Sequence, residues 1–561
     1  MKKIMVTLLV VVLLLSGCTT VEAVPFETYL DQLLVEVIDA RDIGINLSFV
    51  NPEAYGIEPG HYELGFNTLD DYETSHTFYK ETIKTLKSYK KLEGQEAIDR
   101  DVLISYFESH LDDAKYYDYL EGDALGYARS MIANIATYLE VYQFRSEADV
   151  LRYLNFIETL PIYLEAYAEF EIERQSRNTG YGQEIIDEII QMAKNTALES
   201  SSDDYFLIRI FNEKMGNADF DGSQYIETHR DLLKQNYAKA YQDLADVLST
   251  IEAQETQGLY YSENGQAYYE YALKQNTGLD MSVKEINVML QKAFTQNVLK
   301  IQSVDQSLIE VLYTDDFYPH YESGKALLDD MRLLMRDDFP EIGPVNYVIN
   351  QVDPSMAENA SPAYYFTPYV DYDVSMEQYI FINGVHEDSL FNTYAHEGFP
   401  GHMYQFNYNL KLGMHPIRNI LTVGSNSEGW ANYVENYVVK YVTSDAFADL
   451  YTINETLTQI VTVMLDIGIH YEGWHLDDMV DYLIDMGFAL ENATTDEFKD
   501  LYIYIAAHPA VYPMYYVSSI YIQNLKEEVQ KSWDDYSDYK FHEAFLNMGS
   551  SRFDVIASYL D

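Results

Sequence analysis

The stretch Tyr394-Ala-His-Glu-Gly-Phe-Pro-Gly-His-Met-Tyr-Gln405 constrains this chain more than any other. It sets two imidazoles, His396 and His402, on either side of a carboxylate, Glu397. Two neutral imidazoles are good ligands for a borderline-soft metal such as zinc. A carboxylate beside such a ligand can take a proton from an attacking water. The common zinc-protease pattern, His-Glu-x-x-His, places its histidines at i and i+4 on one helix face. Here they stand at i and i+6, about 600° of rotation, which is about 120° off a single face. A fold that uses both must break or widen the helix between them. Gly398, Pro400 and Gly401 are the residues that permit it.

The chain around this motif has 561 residues, enough for a large core and for two or more lobes. Hydrophobic residues make up 47%, which places it among globular proteins. Its formal charge of −55 argues against nucleic acid as a partner, because that binding needs lysines and arginines to neutralise phosphates. The N-terminus reads as a leader. Lys2 and Lys3 precede an apolar run, Ile4 to Leu15, too short for a comfortable membrane span. Leu15-Ser16-Gly17-Cys18 then resembles a bacterial lipobox. Residues 1–17 are therefore expected to be a signal peptide, with Cys18 as the lipid attachment site and 18–24 as a tether. The mature protein is expected on the extracytoplasmic face of the cell membrane, held by acyl chains. Cys18 is the only cysteine, so no disulfide or cysteine-ligated zinc site can form within one chain.

From Phe26 the periodicity is helical. Phe26, Leu30, Leu33, Leu34, Val37 and Ile38 form an amphipathic stripe. Helices are expected around 72–92, 97–120, 124–144, 147–176, 182–200, 203–215 and 224–254. Asn264-Gly265 predicts a turn into a further helix, and Ser282 an N-cap for a helix from Val283 to about Val304. Between 340 and 385 prolines and aromatics increase, and two β-like runs appear, 346–349 and 378–382. After 385 the chain returns to helix. The expected organisation is an N-terminal helical lobe, 25–270, and a catalytic helical lobe, 271–561, together forming one unit. The expected class is mainly α, with a small β element before the metal-binding helix and a deep internal cleft.

Glu428-Gly-Trp-Ala begins 26 residues beyond His402 and opens a helical stripe with Trp430, Tyr433, Val434 and Tyr437. A carboxylate on a second helix completes a three-ligand site with an open fourth position, the arrangement of catalytic rather than structural zinc. His396-Glu-Gly-Phe-Pro-Gly-His402 with Gln405, followed by Glu428-Gly-Trp-Ala and Glu435, resembles the DUF885 family of bacterial proteins. That family is often lipid-anchored and is grouped with gluzincin-like metallopeptidases. Asp466-Ile-Gly-Ile-His470 with Gly473-Trp474, and the region Pro509 to Ser518, extend the resemblance over most of the mature chain. It implies a gluzincin-like fold, His396, His402 and Glu428 as ligands of one zinc ion, and Glu397 as general base. Where many relatives carry Pro-Gly-Gln, this chain has Pro509-Ala-Val511, and His508 stands near the place of a family arginine.

Further candidates follow from position. Tyr515, the counterpart of a family tyrosine, or His508 could donate to a tetrahedral oxyanion. Asp466 and His470, at i and i+4, share a helix face and could orient a ligand or contact substrate. The expected function is zinc-dependent hydrolysis of peptide bonds, on short or unfolded peptides. The alternative of another class is a surface lipoprotein that binds peptides or a partner through a degenerate site. The intact histidine and glutamate set weighs against it. A serine hydrolase lacks its Gly-x-Ser-x-Gly elbow here, and no feature selects a carboxylate pair for a glycosidase.

Overall fold

The computed structural model describes residues 24–560 except 303, 313–316, 353–361, 368, 373–375, 385–389 and 491. Cys18 and the leader-like segment lie outside the described residues. The chain is mainly helical, with one small sheet. Helices used below are α1 (Phe26–Val37), α2 (Gln95–Ser109), α3 (Glu147–Ser176), α4 (Gln183–Ser200), α5 (Ala238–Leu248), α6 (Gly265–Thr277) and α7 (Val283–Ile301). After the sheet come α8 (Leu390–Glu397), α9 (His402–Leu412), α10 (Gly424–Tyr437), α11 (Asp445–Ile467), α12 (Thr495–Ala507) and α13 (Val511–Ser532).

Local chemistry fixes several helix starts. Ser282 accepts from the Glu285 N–H while the Glu285 side chain takes the Ser282 N–H at 2.8 Å, a capping box that opens α7. Ser146 and Asp149 do the same for α3. Each such cap is worth about 1 kcal/mol. Asn264, at φ 57°, makes the turn before α6. The stripe on α1 buries Phe26, Leu30, Leu33 and Leu34 against α2 and Ile417.

Two of the expected helices are broken. Instead of one helix over 97–120, α2 stops at Ser109, a 3-10 turn covers Asp113–Tyr116, and helix resumes at Tyr117–Gly122. Instead of one over 124–144, residues 126–131 are irregular, with Ala128 at φ 62°, and helix resumes only at Ile135–Val141. The cause is tertiary. Arg174 lies buried against this segment, donating to Glu171 at 2.6 Å and to the Thr179 carbonyl at 2.7 Å. A Cβ on Gly122 would come 2.3 Å from its guanidinium carbon. Gly122 itself is helical, and the break falls just beyond it, where His508 takes the Tyr127 carbonyl and Asn134 the Ala128 and Ser130 carbonyls, contacts that apolar periodicity does not reveal.

The sheet contains β1 (Tyr347–Gln351), β2 (Ala363–Phe366) and β3 (Gln378–Ile382), in the order β1-β3-β2. β1 runs parallel to β3 with Tyr347 opposite Gln378, and β2 antiparallel with Phe366 opposite Tyr379. β1 and β3 match the two expected runs, whereas β2 was not foreseen. One apolar core joins the sheet's Ile380 and Ile382 to Phe399, Met403, Trp430, Val517 and Phe545. A second joins α3, α4 and α5 to Val461, Leu465 and Ile469 at the end of α11 and to Ile503–Ala507 of α12. A cavity of about 610 Å3 lies between the strands, at Val352 and Phe366, and the N-terminal half, at Glu140 and Ile210. Among the described residues no helix is long and apolar enough to cross a membrane.

Candidate metal centre

The helix carrying His396 ends at Glu397, and a new one starts at His402. Between them the chain turns through Gly398 to Gly401, with a cis peptide between Phe399 and Pro400. The Gly401 N–H donates to the Ala395 carbonyl at 2.9 Å, and the Tyr404 N–H to the Gly398 carbonyl at 3.1 Å. Both glycines are required by space. A Cβ at 401 would lie 1.8 Å from the His396 carbonyl oxygen, and one at 398 would lie 2.5 Å from Leu328. Phe399 fills the core and takes the Arg332 guanidinium over its ring at 4.9 Å. The Trp430 indole N–H donates to the Pro400 carbonyl at 2.9 Å and so pins the break to α10.

The break brings the two imidazoles together at a centroid distance of 4.7 Å, with their planes 85° apart. Each presents Nε2 to the same oxygen of Glu428, His396 at 3.6 Å and His402 at 3.5 Å. A tetrahedral centre with bonds of about 2.0–2.2 Å separates its ligands by about 3.3–3.6 Å. The donor set therefore fits zinc in kind and in spacing. Among the described residues, His396, His402 and Glu428 form a group that could hold a metal ion, with their donor atoms within 4.8 Å of one another. All three are half-buried, which leaves a side open to solvent.

The outer nitrogen of each ring is held. His396 Nδ1 donates to Glu435 at 2.9 Å, and Glu435 in turn accepts from Asn432 at 2.6 Å. His402 Nδ1 meets the Ser427 hydroxyl at 3.0 Å. These contacts fix both rings with Nε2 facing inward. Electrostatics follow the same pattern. Burial works against charge on His396, but Glu428 and Glu435 outweigh it and hold the imidazole well above the usual histidine range. Burial likewise raises Glu428, yet His402 and His396 hold its carboxyl well below the usual range. The cluster is built to contain positive charge.

Glu397 is buried at 7% exposure, and one of its oxygens accepts the Tyr365 N–H at 2.7 Å. That N–H points away from β3, so the outer edge of β2 faces α8. Tyr515, on α13, has a phenol pushed up to about 12 by burial and then by the Glu428 charge, which places it in electrostatic reach of the cluster. α13 packs along α10 so closely that a Cβ on Gly429 would lie 2.5 Å from that of Ser518.

The other candidates stand elsewhere. His508 has both nitrogens against backbone carbonyls, Tyr504 at 2.8 Å and Tyr127 at 3.1 Å, and braces the 126–131 segment. His470 is fully buried. Its Nδ1 accepts the Leu259 N–H at 3.2 Å, and its Nε2 donates to the Ile505 carbonyl at 2.9 Å. Neither ring has a nitrogen left for the metal cluster. Asp466 does not bond His470. It accepts from the Tyr269 hydroxyl at 2.6 Å and from the Ala510 N–H at 3.2 Å, and so fixes the start of α13. The expected shared face assumed a regular helix, whereas the chain widens into a π turn over Gly468–Glu472 and the two side chains take separate partners. The sequence reading assigned no role to Ser427, Tyr365, Glu435 or Arg129. Glu435 had a signal, since it stands seven residues, two helical turns, beyond Glu428 on the same face.

The fold is shared with solved proteins. A structure titled "putative lipoprotein" from Colwellia psychrerythraea matches with a TM-score of 0.78 at 15% identity, covering 95% of this chain and 98% of that one. A second, titled "putative lipoprotein of unknown function" from Shewanella oneidensis, matches with a TM-score of 0.60 at 16% identity and the same coverage. No curated protein matches the sequence. The family model described as "Bacterial protein of unknown function (DUF885)" matches residues 54–559, nearly the whole of the chain. The chain is thus a member of the DUF885 family.

Proposed function

We propose that this protein is a zinc-dependent peptidase, gluzincin-like in its site and anchored by lipid outside the cytoplasmic membrane. The observation that carries the reading is the convergence of His396, His402 and Glu428 at ligand spacing, with Glu397 next to a ligand. His396, His402 and Glu428 would hold the ion. When bound, zinc lowers the pKa of water and polarises a carbonyl, which supplies a nucleophile at neutral pH.

The chain's own groups do the rest. Glu397 takes the proton of the attacking water and returns it to the leaving amine, while the Tyr365 N–H steadies one of its oxygens. Tyr515 is protonated at neutral pH, as an ordinary phenol is, so it can donate a hydrogen bond to the developing oxyanion. The outer edge of β2 beside Glu397 offers backbone groups to an extended peptide, the β-augmentation mode of recognition. Short or unfolded peptides suit a site enclosed by helices. For the anchor, the lipobox-like Leu15 to Cys18 and the titles of the two similar structures point the same way.

Metal analysis of the purified soluble part, beside a Glu428→Ala form, tests the reading. Stoichiometric zinc in the wild type and its loss in the variant are expected. Equal zinc in both would remove Glu428 from the ligand set, and none in either would leave a peptide-binding lipoprotein. Glu397→Gln should keep the metal and lose cleavage, and undiminished cleavage would end its assignment as base.

A further inference from the structure

The irregular segment 126–131 carries an arginine with no counterpart in the sequence reading. Arg129 is exposed, and its Nη2 donates to the Tyr515 hydroxyl at 3.0 Å. Among the described residues it forms no ion pair. Arg41, Arg152, Arg174, Arg177 and Arg418 each rest on a carboxylate. The backbone that presents Arg129 is held on both sides. Asn134 donates to the Ala128 carbonyl at 3.0 Å and to the Ser130 carbonyl at 2.9 Å, and His508 holds the Tyr127 carbonyl. Ala128 sits at φ 62°, a conformation that costs a non-glycine residue about 1–2 kcal/mol. The fold thus supports a strained, braced loop that holds one exposed cation against Tyr515 and Tyr504, with Tyr515 one turn from the point where α13 meets α10 at Ser518 and Gly429.

We propose that Arg129 anchors a carboxylate of the substrate, so that the site takes peptides by a free C-terminal carboxylate close to the scissile bond. This rests on the peptidase reading. The charge distribution favours such an anchor. Glu397, Glu428 and Glu435 surround the cluster, and the chain as a whole carries −55. A peptide ending in a free carboxylate is repelled from such a site unless a cation meets it. A guanidinium has five N–H donors in a planar fork, and with Tyr515 and Tyr504 against it donors remain for a carboxylate. Arg129 would then fix the peptide's end while Tyr515, touching both, faces the reacting carbonyl.

The test uses three matched N-acetylated peptides: a free acid, its C-terminal amide, and an amide with glutamate as last residue. Wild type should cleave the free acid about 10-fold more efficiently than either amide, the low end of the worth of a hydrogen bond to a charged group. Arg129→Gln should abolish that preference by raising KM for the acid far more than for the amide, whatever it costs both through Tyr515. Arg129→Lys should recover part of it. Equal loss on acid and amide would show that Arg129 acts only through Tyr515 and would overturn the proposal. Glutamyl amide handled as well as the acid would overturn the terminal carboxylate in favour of a side-chain one. Calorimetric binding of the same peptides to Glu397→Gln protein separates this from the peptidase reading. Tighter binding of the acid, lost on adding Arg129→Gln, supports the anchor even where no cleavage occurs, and equal binding of acid and amide refutes it.

Discussion

Glu435 offers the sharpest test of how the cluster is held. Its carboxylate accepts from His396 Nδ1 at 2.9 Å and is 21% exposed, so the bond is charge-assisted and partly shielded from water. Removing such a partner behind a ligand typically weakens metal binding by about 10–100-fold, or about 1.4–2.7 kcal/mol. Ser427 does the corresponding work for His402 with a neutral hydroxyl at 3.0 Å. A neutral hydrogen bond contributes about 0.5–1.5 kcal/mol, so its loss should weaken binding by about 2–13-fold. The expected order of zinc affinity is therefore wild type, Ser427→Ala, Glu435→Ala. Glu435→Gln should fall near Ser427→Ala, because its amide oxygen can still accept from the ring. Competition with a chromophoric chelator at fixed pH measures all four, with circular dichroism to confirm an unchanged fold. An unchanged affinity in Glu435→Ala, or a larger loss in Ser427→Ala, would refute the assignment of these groups as the ones that aim the rings.

Three predictions concern the frame around the site. Asp466 is fully buried and burial raises its carboxyl from 3.8 to about 7. A group raised on folding stabilises at low pH and loses that contribution between its unfolded and folded values, so this stability should fall as pH rises from about 4 to 7. Asp466→Asn should accordingly match wild type near pH 4 and exceed it by up to about 4 kcal/mol above pH 7 in urea unfolding. A gap that does not grow with pH would contradict this. Gly429→Ala forces a Cβ to within 2.5 Å of Ser518, so it should cost about 1–3 kcal/mol and lower zinc affinity by displacing Glu428. Adding Ser518→Gly should restore part of both, and no rescue would remove this contact as the cause. Arg418 is fully buried and donates to Asp99 at 2.5 Å and to the Met548 carbonyl at 2.8 Å. Asp99→Ala strands that charge and should cost about 3–5 kcal/mol by the same assay, whereas a loss below about 1 kcal/mol would show the pair to be dispensable.

Periodicity and spacing made much of this legible, for reasons that are local. The six-residue gap between His396 and His402 demanded a break, and Gly398, Pro400 and Gly401 marked where it falls. The Ser282 cap and the Asn264-Gly265 turn are likewise written within a few residues. The misses are contacts between distant segments. Residues 124–144 have a helical pattern, but His508, supplied from beyond α12, takes the Tyr127 carbonyl and Asn134 those of Ala128 and Ser130, and the chain is unwound there. That unwinding exposes Arg129, which a helix would have carried as one more surface charge. His470 and His508 had suitable side chains in a suitable neighbourhood, yet carbonyls from Ile505, Tyr504 and Tyr127 claim their nitrogens. Whether a histidine is a ligand or a brace depends on where its second nitrogen points, and that is decided by tertiary structure.

The distribution of parts within the site suggests a division of labour. The break between α8 and α9 supplies His396, Glu397 and His402. α10 alone supplies the third ligand, Glu428, both groups behind the rings, Ser427 and Glu435, and Trp430, which holds the break at Pro400. These two segments form a reciprocal unit in which neither keeps its geometry without the other. The groups that would meet substrate come from outside it: Tyr515 from α13, the edge of β2, and Arg129 from the N-terminal half. A change at Arg129 can therefore alter which peptide end is accepted without moving a ligand, whereas a change at Trp430 or Gly401 reaches both histidines at once. Perturbations of the outer groups should separate affinity for peptide from affinity for zinc. Perturbations of the inner unit should not.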